Sequence, residues 1–354
     1  MSHLRRDSNL VLNLEKVATM TESLRSSLKT EFSIKIIKVA RAAHRSSLVR
    51  RVLGKTHARQ FAFINRMYRA VYLMGQPRKA TTIEAKVHGM RIRGPAWDNT
   101  ILPALVAGYY EEFEVAIFRQ LAAKSRGVVD VGANIGLYTC IAAAASPDSR
   151  VLAFEPVPEN YHFLLDNVNT NGVSARVLAE MQAVGEREGE LVLHLSNRQI
   201  GTHSASAENT EECSGTTIVP MTDLDSYLKT HDMPPVDLMK IDIEGYDGFA
   251  LRGAVATLRK DRPTIFIEFN PSALSNCGFE PHELLELIAA HGYHIFIVDL
   301  LDSRLIECQF KDVIDVIEED AASKPYLSNL LAVSRAEHLE ALSPWLPFGD
   351  ISDR

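Results

Sequence analysis

Asp130, Glu155, Asp242, Glu244 and Glu268 each stand where a short apolar run of the sequence stops, in VVDVGANIG, VLAFEP, LMKIDIEG and IFIEF. A carboxylate at such a stop can accept hydrogen bonds from hydroxyls, balance a cation or take a proton from a weak acid. In an open parallel sheet, ligands bind beyond the carboxyl ends of the strands. Acids in register along that edge therefore outline a pocket, although any one of them can instead cap the next helix.

Around Asp130 the stretch VVDVGANIGLYT places Gly132 and Gly136 in a turn between an apolar run and a helix-like segment. Glycines there let the backbone approach a ligand closely. The free N–H groups of the next helix favour a phosphate or a carboxylate. Glu155 lies 25 positions after Asp130, where an acid can receive both hydroxyls of a ribose; a cap before PENYHFLLDN is its other reading. Two nucleoside cofactors compete. A dinucleotide turn needs a glycine where this chain has Asn134, which disfavours a nicotinamide cofactor. S-adenosylmethionine offers a carboxylate to the helix N-terminus, an ammonium to Asp130 and a ribose to Glu155. Tyr138 and Thr139 either reach the cofactor or face the sheet.

For the chemical step, Asp242 and Glu244 in KIDIEG are the leading general-base candidates, with only one pointing into the pocket if the strand runs that far. Lys240 shares their face, either to hold a carboxylate ionised or to form a structural ion pair. Glu268 and Asn270 supplement the site from the next strand. His203, in GTHSAS, is the histidine that a loop could deliver over an acceptor, with an ordinary pKa suited to a base at neutral pH; a solvated loop residue is its plain alternative. Asp242, Glu268 and Asn270 are oxygen ligands of the kind magnesium accepts, but such pockets are common without metal and no metal is assigned.

The elements that must position these groups alternate short apolar runs with helical stretches. That is the signature of a mostly parallel sheet with helices on both faces. Strands are expected at 127–133, 150–156, 175–185, 236–245, 263–270, 293–300 and 329–335. Helices are expected at 111–124, 136–146, 158–170, 247–260 and 281–291, after a strand-like entry at KVHGMRIRG. An extra pair, ELVLHLS and TTIVPM, flanks the polar stretch NRQIGTHSASAENTEECSG, which reads as a binding loop, a lid or a disordered excursion.

The chain has 354 residues, 46% hydrophobic and 23% charged, ample for a large core. Its four cysteines show no metal or disulfide spacing, and no segment approaches the roughly 18 apolar residues of a membrane span. A cytoplasmic setting is expected. Residues 1–80 hold 17 Lys and Arg against 4 Asp and Glu, a balance of +13, leaving −20 for the rest of a chain of net charge −7. This basic region reads as helical. Its amphipathic stretch at 47–75 suits an anionic membrane surface, nucleic acid or an acidic partner, or packing on the acidic remainder of the chain; no nucleic-acid motif supports the second of these.

VVDVGANIGLYT, FEPVPENY, VPMTDLDSYL, DLMKIDIEGYDGFALRGA and TIFIEFNP, in that order, resemble the successive motifs of the FkbM-type methyltransferases. The resemblance covers roughly residues 105–335. It implies a Rossmann-like α/β fold, a seven-stranded mostly parallel sheet of the class I methyltransferase kind, with a helical N-terminal extension. It implies S-adenosylmethionine as cofactor and O-methylation of a sugar, glycan or natural product, with a small-molecule or glycan hydroxyl as partner. Carried over residue by residue, it puts Asp130, Gly132, Asn134 and Gly136 at the methionine end, Glu155 at the ribose, and Gln182 and Ala183 beside adenine. The corresponding domain division is 1–80 basic helical region, 81–104 linker and strand-like entry, 105–340 methyltransferase domain and 341–354 tail. A nicotinamide-dependent oxidoreductase and a non-catalytic nucleoside-binding module are the alternatives.

Overall fold

The computed structural model describes residues 82–346, apart from 109, 301–302 and 322–328. The expected basic helical region at 1–80 and the end of the tail lie outside the described residues. Strands β1 (Thr82–Val87) and β2 (Met90–Pro95) form an antiparallel hairpin where one strand-like entry was expected. Helices α1 (Ile101–Ala107) and α2 (Glu112–Ala122) then lead into the main sheet.

That sheet has eight strands: β3 (Gly127–Val131), β4 (Arg150–Phe154), β5 (Val177–Glu180), β9 (Val236–Ile241), β10 (Thr264–Glu268), β11 (His294–Asp299), β12 (Arg304–Cys308) and β13 (Asn329–Val333). Their order is β12-β11-β13-β10-β9-β3-β4-β5. The five from β10 to β5 run parallel, and β13 enters antiparallel between β10 and β11. Seven strands match the expected class I arrangement, and β12 is an eighth, hairpinned onto β11.

Side-chain alternation along each strand separates two cores. Val128, Leu238 and Phe266 face α2, α3 (Leu137–Ala145) and α4 (Pro158–Thr170), where Phe118, Ile141 and Leu164 are fully buried. Val129, Val131, Met239 and Ile241 face the other way. There they meet α5 (Leu224–Thr230), α6 (Asp247–Arg252), α7 (Val255–Lys260), α8 (Pro271–Asn276) and α9 (Pro281–Ala289). Each such buried side chain contributes about 1.5–3 kcal/mol by leaving water. The periphery adds α10 (Val313–Ala321) and α11 (Ala336–Leu342). Among the described residues, no helix is long and apolar enough to cross a membrane.

The strand expected over 175–185 is two. β5 ends at Glu180, and β6 (Ala183–Val184) pairs instead with β8 (Cys213–Thr222), which also pairs antiparallel with β7 (Gly189–Ser196). This second sheet, β6-β8-β7, stands over the carboxyl end of the first and carries the polar insertion between β7 and β8. The helix expected over 247–260 is broken at Gly253, where a β-carbon would lie 2.0 Å from the carbonyl oxygen of Gly185. The close fit of β6 against this helical segment requires a residue without a side chain there.

Candidate active site

Beyond the ends of β3, β4 and β9 lies a cleft that opens to solvent, the place where an open parallel sheet binds its ligands. Its walls come from the first sheet, from β7 and from the insertion. Gly132, Asn134, Glu155, Gln182, Ala183, His203, Asp242 and Glu244 all line it. Asp130, Gly136 and Glu268 are not among the lining residues.

The turn after β3 is shaped by contacts within the chain. Gly132 (φ +83°) and Gly136 (φ +86°) adopt left-handed backbone that costs other L-residues about 1–2 kcal/mol. A β-carbon on Gly132 would lie 2.1 Å from the carbonyl oxygen of Asp242, and one on Gly136 would lie 2.6 Å from Cδ1 of Leu164. Both glycines are therefore needed to seat β9 and α4 against the turn. Ligand approach is a second use of the same geometry.

Asn134 (φ +51°) donates its backbone N–H to Oε2 of Glu155 at 2.8 Å and its side-chain amide to the carbonyl of Ile200 at 3.1 Å. Where a dinucleotide turn would have a bare glycine, this chain has an amide anchoring the insertion, which fits poorly with a pyrophosphate. Glu155 also accepts from the backbone N–H of Val157 at 2.9 Å, so the cap reading and the cleft reading hold together. Burial pushes its carboxyl up to about 7 against these backbone hydrogen bonds.

Asp130 is fully buried beneath the turn, with Oδ2 accepting from Thr139 Oγ1 at 2.6 Å. This corrects the expectation that Asp130 offers itself to a cofactor ammonium: as the neighbour of Val128 on the α3 face, it points into the protein. Thr139 faces the sheet for the same reason. Tyr138 does too, its hydroxyl donating to Glu111 at 2.6 Å and its ring lying 4.6 Å from Lys240 Nζ.

β9 ends at Ile241, so strand alternation does not govern the residues beyond it. The chain turns through Glu244 (φ +55°), and Asp242 and Glu244 both line the cleft, where only one was expected to. Lys240, 4% exposed, places Nζ 2.8 Å from Asp242 Oδ2. Burial works against its charge, but Asp242, Asp130 and Glu111 outweigh burial and raise its pKa. Carboxylate oxygens of Asp242, Glu244 and Glu268 lie within 4.8 Å of one another. Burial, reinforced by neighbouring negative charge, holds Glu244 and Glu268 well above the usual carboxylate range. Asn270 is turned away from this group, its Oδ1 capping α8 by accepting from Ala273 N at 3.1 Å.

His203 lines the cleft but is not poised near neutrality. Burial pushes it down to about 4, and its Nδ1 accepts from the backbone N–H of Ser196 at 3.1 Å. The neutral ring then carries its proton on Nε2, which makes it a hydrogen-bond donor and a poor proton acceptor. This overturns its reading as general base.

Sequence reasoning missed two contributions and left the form of a third, the insertion, open. Asn160, 2% exposed on α4, lines the cleft and donates to Ile200 O at 3.0 Å. Leu191 and Leu193 of β7 supply an apolar wall, for which the alternation in ELVLHL was the available signal. The insertion itself is an anchored strap: Asp98 Oδ1 accepts from Ile200 N, and Ser204 Oγ and Asn209 Nδ2 donate to Glu244 O.

These residues fit S-adenosylmethionine: an enclosed carboxylate at Glu155 for a diol, apolar walls for a purine, and Asp242 with His203 at the other end. Residues 130–295 match the family described as Methyltransferase FkbM domain. The chain is similar to the hexuronic acid methyltransferase AglP of Haloferax volcanii, 24% identical over 161 residues covering 45% of this chain and 60% of that one. It is also similar to Methyltransferase 1 of Beauveria bassiana, 27% identical, covering 36% of this chain and 57% of that one. It thus spans less than two thirds of the length of these curated relatives. A solved methyltransferase FkbM from Methylobacillus flagellatus KT superimposes on 59% of this chain and 44% of its own, at 16% identity and a TM-score of 0.37.

Proposed function

We propose, from the match of residues 130–295 to the Methyltransferase FkbM domain family, that the protein is an S-adenosylmethionine-dependent O-methyltransferase acting on a hydroxyl of a sugar, glycan or natural product. The observation that carries this reading is Glu155. Its two oxygens are each fixed by one backbone N–H, from Asn134 and Val157, at the wall of the cleft. A carboxylate has about four acceptor positions; the two backbone N–H groups and the Asn160 side chain take part of them, and what is left serves the hydroxyls of a ribose. The Haloferax relative is named a hexuronic acid methyltransferase, which supports a sugar acceptor.

When bound, S-adenosylmethionine supplies a methyl carbon activated by positively charged sulfur. Glu155 then orients the ribose, Gln182 and Ala183 border the base, and Gly132 and Asn134 hold the turn against the methionine end. Alignment of acceptor and methyl group is worth about 7–11 kcal/mol in favourable cases. Asp242 takes the acceptor proton. It lines the cleft and has Lys240 as ion-pair partner at 2.8 Å, whereas Glu244 and Glu268 hold their own protons too tightly to serve first. His203 Nε2–H donates a hydrogen bond to the acceptor and helps exclude water.

Calorimetry with S-adenosylhomocysteine and with NADH tests the reading. Binding of the first with micromolar affinity and no heat from the second is expected; the reverse pattern overturns it.

A further inference from the structure

The Glu155 carboxylate is one acceptor short of what a diol needs. A carboxylate has about four acceptor positions. The backbone N–H groups of Asn134 and Val157 take two of them, and an amide hydrogen of Asn160 is turned on the same carboxylate, favouring its charged form. About one position remains, whereas vicinal hydroxyls bring a pair of O–H donors. The missing acceptor stands alongside. Asn160 is the third residue of α4, 2% exposed and part of the cleft wall, and helix geometry tips its side chain back towards the turn that holds Glu155. Its amide nitrogen is committed to the carbonyl of Ile200 at 3.0 Å, which leaves the amide oxygen. Among the described residues that Oδ1 has no hydrogen-bond partner, and it is closed off from water, a costly state for a buried acceptor.

We propose, on the methyltransferase reading above, that Asn160 is a specificity-determining residue for the cofactor: its Oδ1 accepts one ribose hydroxyl while the free position of Glu155 accepts the other. The pair presents acceptors and no donor to the ligand, because the amide hydrogens of Asn160 are already turned to Ile200 and Glu155. A diol satisfies it. A ribose phosphate removes an O–H donor and adds negative charge, which the ionised Glu155 repels. Ile200 belongs to the strap, so the strap shifts there to admit the hydroxyl, and the orphaned oxygen gains its partner when ribose is seated. Taking one hydroxyl off the ligand leaves a buried acceptor unpaired, the defect by which a polar site most strongly rejects an analogue.

The test is calorimetry on the full chain at about pH 8, where Glu155 is ionised, with S-adenosylhomocysteine and its 2′-deoxy and 3′-deoxy analogues. The unaltered protein is expected to bind each analogue at least about tenfold more weakly than the parent compound. In Asn160→Ala one of these penalties should shrink below about threefold, and the other should stay. Loosening of the strap in that variant weakens all the ligands by the same factor, so the ratios isolate the Oδ1 contact. Persistence of both penalties in Asn160→Ala, disappearance of both, or loss of all binding there would each overturn the proposal. So would a penalty below about threefold for either analogue in the unaltered protein, an outcome that needs no variant to fold. Failure of S-adenosylhomocysteine itself to bind the unaltered protein would instead overturn the methyltransferase reading.

Discussion

The side-chain amide of Asn134 donates across 3.1 Å to the carbonyl oxygen of Ile200, tying the turn after β3 to the strap over the cleft. Asn160 donates to the same oxygen at 3.0 Å. A side-chain hydrogen bond is worth about 1 kcal/mol net, so Asn160→Ala should open the strap about fivefold more often. Trypsin cleavage after Arg198, whose side chain is 60% exposed, should accelerate by that factor. Asn134→Gly combined with Asn160→Ala should exceed tenfold. Unchanged digestion of both variants would show that the strap is held elsewhere.

Gly132→Ala and Gly136→Ala carry the same backbone penalty, about 1–2 kcal/mol, yet should differ in stability. The new methyl group meets a backbone carbonyl in the first and the side-chain end, Cδ1, of Leu164 in the second. Denaturant unfolding should give a loss of more than about 3 kcal/mol for Gly132→Ala and roughly 1–2 kcal/mol for Gly136→Ala. The opposite ranking would contradict the described packing of β9.

The pH dependence of cofactor affinity should trace Glu155. Its pKa is raised to about 7, and the ionised form is the one that accepts from a diol. Affinity for S-adenosylhomocysteine should therefore weaken as pH falls below 7, by about tenfold per unit, and level off above. In the free protein the sign is opposite. A raised carboxyl pKa means that stability is lost as pH rises from about 4.5 towards 7. Glu155→Gln should bind weakly at every pH; a variant that keeps the full pH profile would assign the titration elsewhere.

Asp242 and His203 should separate in turnover. Asp242→Asn removes the proposed proton acceptor and should lower kcat by about 10² to 10⁴, with affinity for S-adenosylhomocysteine changed less than threefold. His203→Asn can still accept from Ser196 N and should keep more than a tenth of the activity. Inactivity of the histidine variant alongside a fully active Asp242→Asn would invert the two roles.

Acid should destabilise the fold through His338, which is fully buried between Ser125 Oγ (3.2 Å from Nε2) and Thr264 Oγ1 (2.7 Å from Nδ1). Burial pushes it down to about 4 from 6.5. Between those values the unfolded chain binds the proton and the folded chain does not, so stability falls as pH falls. At about 1.4 kcal/mol per pKa unit, His338 contributes a loss of about 3 kcal/mol across that window, with His203 adding in the same direction. Urea midpoints at pH 7 and pH 5 measure it, and His338→Gln should flatten the difference.

The central strands were legible because GVVDV and VDLMKI, though they carry Asp130, Asp237 and Lys240, are apolar at most positions and buried at every one. Glu155 and Asp242 follow the apolar runs of β4 and β9 directly, and both line the cleft. The departures have local causes that periodicity cannot carry. β6 leaves the sheet to join β8, the 247–260 helix breaks where Gly253 meets the Gly185 carbonyl, and α5 is a seven-residue helix whose cap, Asp223 to Ser226 N at 2.8 Å, is its clearest mark. The direction of Asp130 and the protonation of His203 depend on neighbours such as Thr139 and Ser196, which only the folded chain brings close.

β13 lies between β10 and β11, so among the described residues the β11–β12 hairpin, which ends at Cys308, joins the rest of the sheet through a strand that begins only at Asn329. During synthesis the half carrying β3, β4 and β9 can assemble as it leaves the ribosome, while β10 keeps an unpaired rim. Until Asn329–Val333 emerges, that rim is the stretch most open to pairing with a neighbouring nascent chain.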